Sequence, residues 1–145
     1  MATGGRIVWN DDEVDRLLHS ETGPTARKLQ GYAEVVTQGA KRRAATSPDG
    51  SYGRPSGYMR SGIGWRILTD AQGLVARVEA PATTPDGFPY PMVVELGSKP
   101  HEIKSHGPYP LRNKYGATFG PRVWHPGTEP QPFLRPALDD IRGAV

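Results

Sequence analysis

Apolar positions in the first third of the chain repeat at helical spacing, and the period then changes to two. Asn10 followed by Asp11, Asp12 and Glu13 marks a helix start, a capping side chain ahead of acids that face the positive end of the helix dipole. Val14, Leu17 and Leu18 give that helix a short apolar face. The stretch from Ser20 breaks the pattern, and Pro24 opens a second helix. There Leu29, Tyr32, Ala33, Val36 and Ala40 form a stripe at 3.6-residue periodicity, closed by the cations Lys41, Arg42 and Arg43 at the negative dipole end. Gly31 and Gly39 weaken it by about 1 kcal/mol each relative to alanine, so it needs a sheet to lie on.

Residues 46–55 carry turn signals throughout. After them Ile63, Trp65 and Ile67 alternate with Gly64, Arg66 and Leu68, which predicts a strand. Asp70-Ala71-Gln72-Gly73 is a turn, and Leu74 to Glu79 forms the second arm of a hairpin. Tyr90 to Leu96 reads as a third strand and Arg122 to His125 as a fourth. Residues 97–121 show no helical period but contain Ile103, Tyr109, Leu111, Tyr115 and Phe119. A stretch this long with large apolar residues reads as an extended arm or long hairpin that packs on a neighbouring subunit, ahead of a lid over a site of its own or a flexible loop. In the ending Trp124 to Asp140, His125-Pro126-Gly127-Thr128 predicts a fixed turn in which Gly127 takes positive φ and the His125 ring bonds nearby backbone. Pro130 and Pro132 keep the chain extended, Pro136 suits a helix's first turn, and Phe133, Leu134, Ala137, Leu138 and Ile141 supply the apolar face of a short terminal helix. The chain thus reads as a single α+β domain spanning 1–145: N-terminal helices (10–45) on a small antiparallel sheet (61–96), an extended arm (97–121), and a closing segment of strand, turn and helix (122–142).

Three segments, in order, resemble a tailed-phage family, the small neck and tail-completion proteins of long-tailed phages. Gly57-Tyr58-Met59-Arg60-Ser61-Gly62-Ile63 resembles that family's entry into the sheet. Tyr90-Pro91-Met92-Val93-Val94-Glu95-Leu96-Gly97-Ser98 resembles one of its strand ends, and H-P-G-T with Pro132-Phe133-Leu134-Arg135-Pro136-Ala137-Leu138 resembles its C-terminus. Tyr58 and Pro91 stand where the family carries small residues. The resemblance implies a head-tail connector: a homo-oligomeric ring of six or twelve subunits in the virion neck. Such a ring touches a head-completion (stopper) protein on one side and a tail terminator or tail tube protein on the other, and genomic DNA passes through its channel. A tail terminator capping the tail tube is the alternative within the class. On this reading Tyr109, Leu111, Tyr115, Phe119, Trp124, His125, Phe133, Leu134 and Leu138 form the subunit or partner interface, with Phe133 and Leu138 as anchors. Lys41, Arg42 and Arg43 are the candidate channel lining.

Composition narrows the chemistry. The 145 residues carry 18 glycines and 15 prolines, twelve of the prolines at or beyond Pro81, so the second half is loop-rich. With no cysteine, disulfides, thiolate metal sites and cysteine nucleophiles are excluded. No apolar run is long enough for a signal peptide or a membrane span, and a soluble protein assembled in the cytoplasm is expected. A net charge of +3 leaves open a different class, a small basic nucleic-acid-binding module. Candidate catalytic groups are sparse. His101, His106 and His125 with Glu95 or Glu102 have the right types for zinc but lack the i, i+4 spacing of a metal-binding helix, so no metal or other cofactor is assigned. No G-x-S-x-G elbow or phosphate-binding glycine loop occurs. Asp86 with Glu79 or Glu95 is the remaining acid/base pairing, Asp139 and Asp140 are read as solvated helix-end acids, and no enzyme is expected. Trp65, Trp124 and Phe133 are read as packing residues before they are read as base-stacking ones.

Overall fold

A computed structural model describes residues 8, 10–46, 54–71, 73–113 and 115–143. The N-terminal expectation holds closely. Helix α1 (Asp11–His19) starts where the Asn10 side chain accepts the Glu13 N–H, and helix α2 (Pro24–Arg43) starts on Pro24. The two are tied by the Thr25 hydroxyl, which donates to the Leu17 carbonyl at 2.7 Å. A short helix α3 (Tyr58–Gly62) then leads into strands β1 (Gly64–Asp70) and β2 (Gly73–Glu79), an antiparallel ribbon that pairs Gly64 with Glu79 and Asp70 with Gly73. The first family-like segment is therefore a helical turn and not the start of a strand. Helix α2 lies on this ribbon, and Trp65 Nε1–H donates to Glu34 across the seam at 2.8 Å.

Residues 90–96 depart from the sequence reading. They form helix α4 (Tyr90–Leu96), not a strand. Tyr90, Pro91 and Glu95 are buried and Val94 packs beside them, a spacing of one and four that fits a helix face and not an alternating strand. Pro91 lies in the first turn, where its missing N–H costs nothing, and Gly97 ends the helix with φ +71. Strands β3 (His101–Lys104) and β4 (Arg122–His125) pair with each other as a second ladder, separate from the first, so the expected single sheet is two ribbons. Helix α5 (Leu134–Arg142) closes the chain. The architecture is α+β, with no described helix long and apolar enough to cross a membrane.

The core gathers Val36, Ala40 and Ala44 of the α2 region, Met59, Ile63, Ala82, Tyr90, Phe133 and Ala137. Phe133, expected at an interface, is fully buried within its own chain. Its burial follows from the cap of α5. Glu95, 9% exposed, accepts the backbone N–H groups of Phe133, Leu134 and Arg135 at 2.7, 2.9 and 2.9 Å. A helix start leaves four N–H groups without internal partners, and here the fourth position is Pro136, which has none. One carboxylate thus completes the whole helix start, with its charge at the positive dipole end. Burial pushes the Glu95 pKa up, but the three N–H donors and the Arg135 charge outweigh it and hold the group below the ordinary carboxylate value.

The α2–α5 crossing is equally close. A Cβ placed on Gly39 meets the Asp140 carboxylate and lies 3.3 Å from the Ala137 Cβ, whereas one on Gly31 meets nothing within 4 Å. Gly39 is the point at which α5 touches α2, and its cost in helix propensity secures that approach.

Two outcomes follow from this packing. Glu95→Ala leaves three N–H groups, one buried and two part-buried, without their acceptor and lowers stability by about 3 kcal/mol in urea denaturation. Because the folded Glu95 pKa is depressed, its stabilisation is fully present above the unfolded value of 4.5 and is lost as pH falls through the folded one. The acid-induced loss should accordingly shrink in the variant. Gly31→Ala raises stability by about 1 kcal/mol, and the same exchange at Gly39 lowers it. Equal gains at the two glycines would contradict the crossing described here.

Candidate functional site

Residues 97–128 form a hairpin arm whose base is built from two crossing glycines. Ser98 and Thr128 exchange backbone hydrogen bonds of 2.9 and 3.1 Å. Gly97 and Gly127 flank that exchange with φ +71 and +91. A Cβ on Gly97 would meet the Thr128 carbonyl oxygen 2.5 Å away, and one on Gly127 would collide with that of Ser98. The expected positive φ at Gly127 is present, and so is the His125 contact: its Nδ1 accepts the Gly127 N–H at 3.1 Å. The turn brings His125 opposite His101, with ring centroids 5.2 Å apart.

Above the base the ladder runs through β3 and β4 and continues irregularly outward. Ser105 N–H donates to the Pro121 carbonyl, Phe119 N–H to that of Leu111 at 2.7 Å, and Arg112 bridges Thr118. The tip is closed by Asn113, whose Oδ1 accepts the N–H groups of Tyr115 and Ala117 while Gly116 takes φ +84. Residues 97–121 are thus a hairpin, the more ordered of the two forms the sequence allowed. β3 and β4 pack chiefly on each other. Its large apolar groups remain open to solvent: Tyr109 is 80% exposed, Tyr115 78% and Trp124 68%, with Phe119 and Ile103 also exposed. Leu111 is half-buried. Trp124 is therefore not a core residue: it lies on the exposed side of the β3–β4 ribbon.

The remaining expected residues divide. Leu138 is exposed on α5, while Leu134 packs half-buried against the core beside Phe133. Within the basic run, Arg43 and more loosely Arg42 meet an acid of α5. The Arg43 guanidinium meets Asp140 through two bonds of 2.8 Å and donates to the Gly39 carbonyl, and Arg42 lies 3.6 Å from the same carboxylate. Asp140 holds the Arg43 pKa above its usual range and is itself held low by Arg43. Sequence reading treated Asp140 as solvated because its partner lies 97 residues away. Of the run, Arg43 is committed to the α2–α5 crossing, and Lys41 and Arg42 flank it.

The carboxylates singled out as possible acid/base groups each have a structural partner. Glu95 caps α5, Glu79 pairs with Arg66 at 3.1 Å, and Asp86 accepts the Thr84 hydroxyl, which lowers its pKa. Among the described residues no group of three or more His, Asp or Glu side chains is placed to hold a metal ion. No family model matches this chain, and neither curated proteins nor solved structures give a match. The surface with the clearest capacity to act is the arm, which offers aromatic area and positive charge for contact and presents no assembled set of reacting groups.

Gly127→Ala combines a positive φ with a backbone collision at the arm's base. It should destabilise the fold by about 1–3 kcal/mol and speed amide exchange at Ser98 and Thr128. Unchanged exchange at both would show that the crossing does not depend on glycine.

Proposed function

We propose that this chain is a structural virion protein, a subunit of the ring that joins head to tail in the neck of a long-tailed phage. The supporting observation is the arm, an ordered hairpin on which Tyr109 and Trp124 stand largely exposed. Exposed apolar area of this kind is a usual mark of a protein–protein contact. The body buries its own core, Phe133 included, while the arm, Leu138 and the α1 residues Leu17 and Leu18 leave apolar area open for neighbours. The order of the three family-like segments points to the same assembly.

In this reading the subunits associate head to tail, since an arm reaching out from one region must meet a different region on the next copy. Heterologous contacts of this type close into rings when the rotation allows. The neighbours along the axis are the head-completion protein and the tail terminator or tube, and DNA passes through the lumen. Arg43 is left out of the channel lining because its guanidinium is held by Asp140.

The deciding experiment is native mass spectrometry and electron microscopy of the purified protein, with and without isolated tails. A closed ring of six or twelve copies, alone or at the head-proximal end of tails, is the expected result. A monomer that ignores tails and binds DNA with steep salt dependence would instead establish a nucleic-acid-binding module.

A further inference from the structure

We infer that the receptor for the arm is helix α1 of a second copy of this chain. The inference rests on the ring reading above and names the contact that builds the ring. Three observations carry it: charge, open apolar surface and position.

The charges are opposite and nearly equal. Residues 97–125 contain Lys99, Lys104, Arg112, Lys114 and Arg122 against Glu102 alone. Within the arm Lys104 and Arg122 share that one glutamate, at 3.2 and 3.7 Å. Residues 10–21 contain Asp11, Asp12, Glu13, Asp15 and Glu21 against Arg16 alone. Asp15 is bonded to His19 at 2.7 Å, and both are exposed. By sequence each segment thus carries a charge excess, and the two excesses have opposite sign.

The apolar surfaces also correspond. α1 has no buried residue: Val14 is half-buried, and Leu17 and Leu18 stand exposed among the acids. The arm offers Tyr109, Phe119 and Trp124 among its cations. Aromatic residues on one side and leucines on the other, ringed by complementary charge, give an apolar centre with a polar rim.

Position makes the contact one between copies. α1 packs on the start of α2 and reaches the β1–β2 turn, where a Cβ on Gly73 would lie 3.6 Å from the His19 ring. The arm leaves from the other end, beside the Glu95 cap of α5, where α5 meets the last turns of α2 through Gly39, Arg43, Ala137 and Asp140. The 20 residues of α2 separate these ends by about 30 Å. A donor at one end and an acceptor at the other define a head-to-tail contact that repeats from copy to copy. The apolar groove between β2, α4 and α5, lined by Val78, Ala80, Met92, Leu96 and Leu134, is a poorer receptor. Its glutamates are already engaged, Glu95 by three N–H groups and Glu79 by Arg66, and Arg135 adds positive charge at its edge.

The test uses two full-length variants altered at exposed positions, Leu17→Ser, Leu18→Ser and Asp15→Lys together on α1, and Tyr109→Ser, Arg112→Glu and Trp124→Ser together on the arm. Circular dichroism checks that both keep the wild-type fold. Sedimentation velocity should show each variant monomeric at concentrations where the wild type forms rings, with its association weakened by about tenfold or more. Mixed one to one, the variants retain one intact arm and one intact α1 between them, so the mixture should stop at a heterodimer. Rings that persist in the α1 variant, or a mixture that remains monomeric, would overturn this contact and leave the ring itself standing. A wild type that stays monomeric at every concentration, with and without tails, would overturn the ring reading and this contact together.

Discussion

The Glu95 carboxylate is the constraint on which most of the second half depends. It sits at the end of α4 and terminates three N–H groups at the start of α5, so the two helices have a fixed relation. Gln131 N–H donates to the Val94 carbonyl at 2.8 Å, holding the Pro130–Pro132 stretch against the same turn. Phe133, the residue between that stretch and α5, is thereby driven into the core. Two residues after Glu95 the chain reaches Gly97 and the base of the arm. One buried charge therefore sets the helix start, the core insertion and the arm's point of departure. It is tolerated in the interior because every donor it faces is a fixed backbone group.

Around that cap the molecule divides its work between a closed body and an open arm. In the body, small residues allow close approach: Ala33, Gly39, Ala40 and Ala137 let helices lie near one another, and the Arg43–Asp140 pair brackets the crossing. In the arm, glycine serves a different end. Gly97 and Gly127 permit two backbones to cross, and the hairpin beyond them carries the exposed aromatic groups of Tyr109 and Trp124. A protein built this way is complete as a folded unit and incomplete as a surface. On the proposed reading, that combination suits a place in an assembly.

Much of the local structure was legible from the residues. The Asn10 cap, the break after His19, the long helix from Pro24, the β1–β2 hairpin and the His-Pro-Gly-Thr turn all follow from periodicity and turn chemistry over a few neighbouring positions. Residues 90–96 were misread because their run of apolar side chains suits a buried strand as well as a helix. The deciding signals were Pro91 in the first turn and Gly97 at the end. Of the expected interface set, Tyr109, Phe119 and Leu138 stand exposed whereas Phe133 is buried, and the residue types could not separate them, since a core anchor and a docking anchor are the same kind of residue.

Sequence alone thus determined helices α1, α2 and α5, the first hairpin, the terminal turn and the α+β class, because each depends on interactions between residues close in the chain. The tertiary structure decided where the side chains with distant partners go. Glu95 meets an N–H 38 residues away, Arg43 meets an acid 97 residues away, and Gly39 takes its meaning from Ala137 and Asp140. Which aromatic residues are buried and which stand free is set by the same long-range packing. Burial belongs to the three-dimensional neighbourhood, and a linear pattern records only the capacity for it.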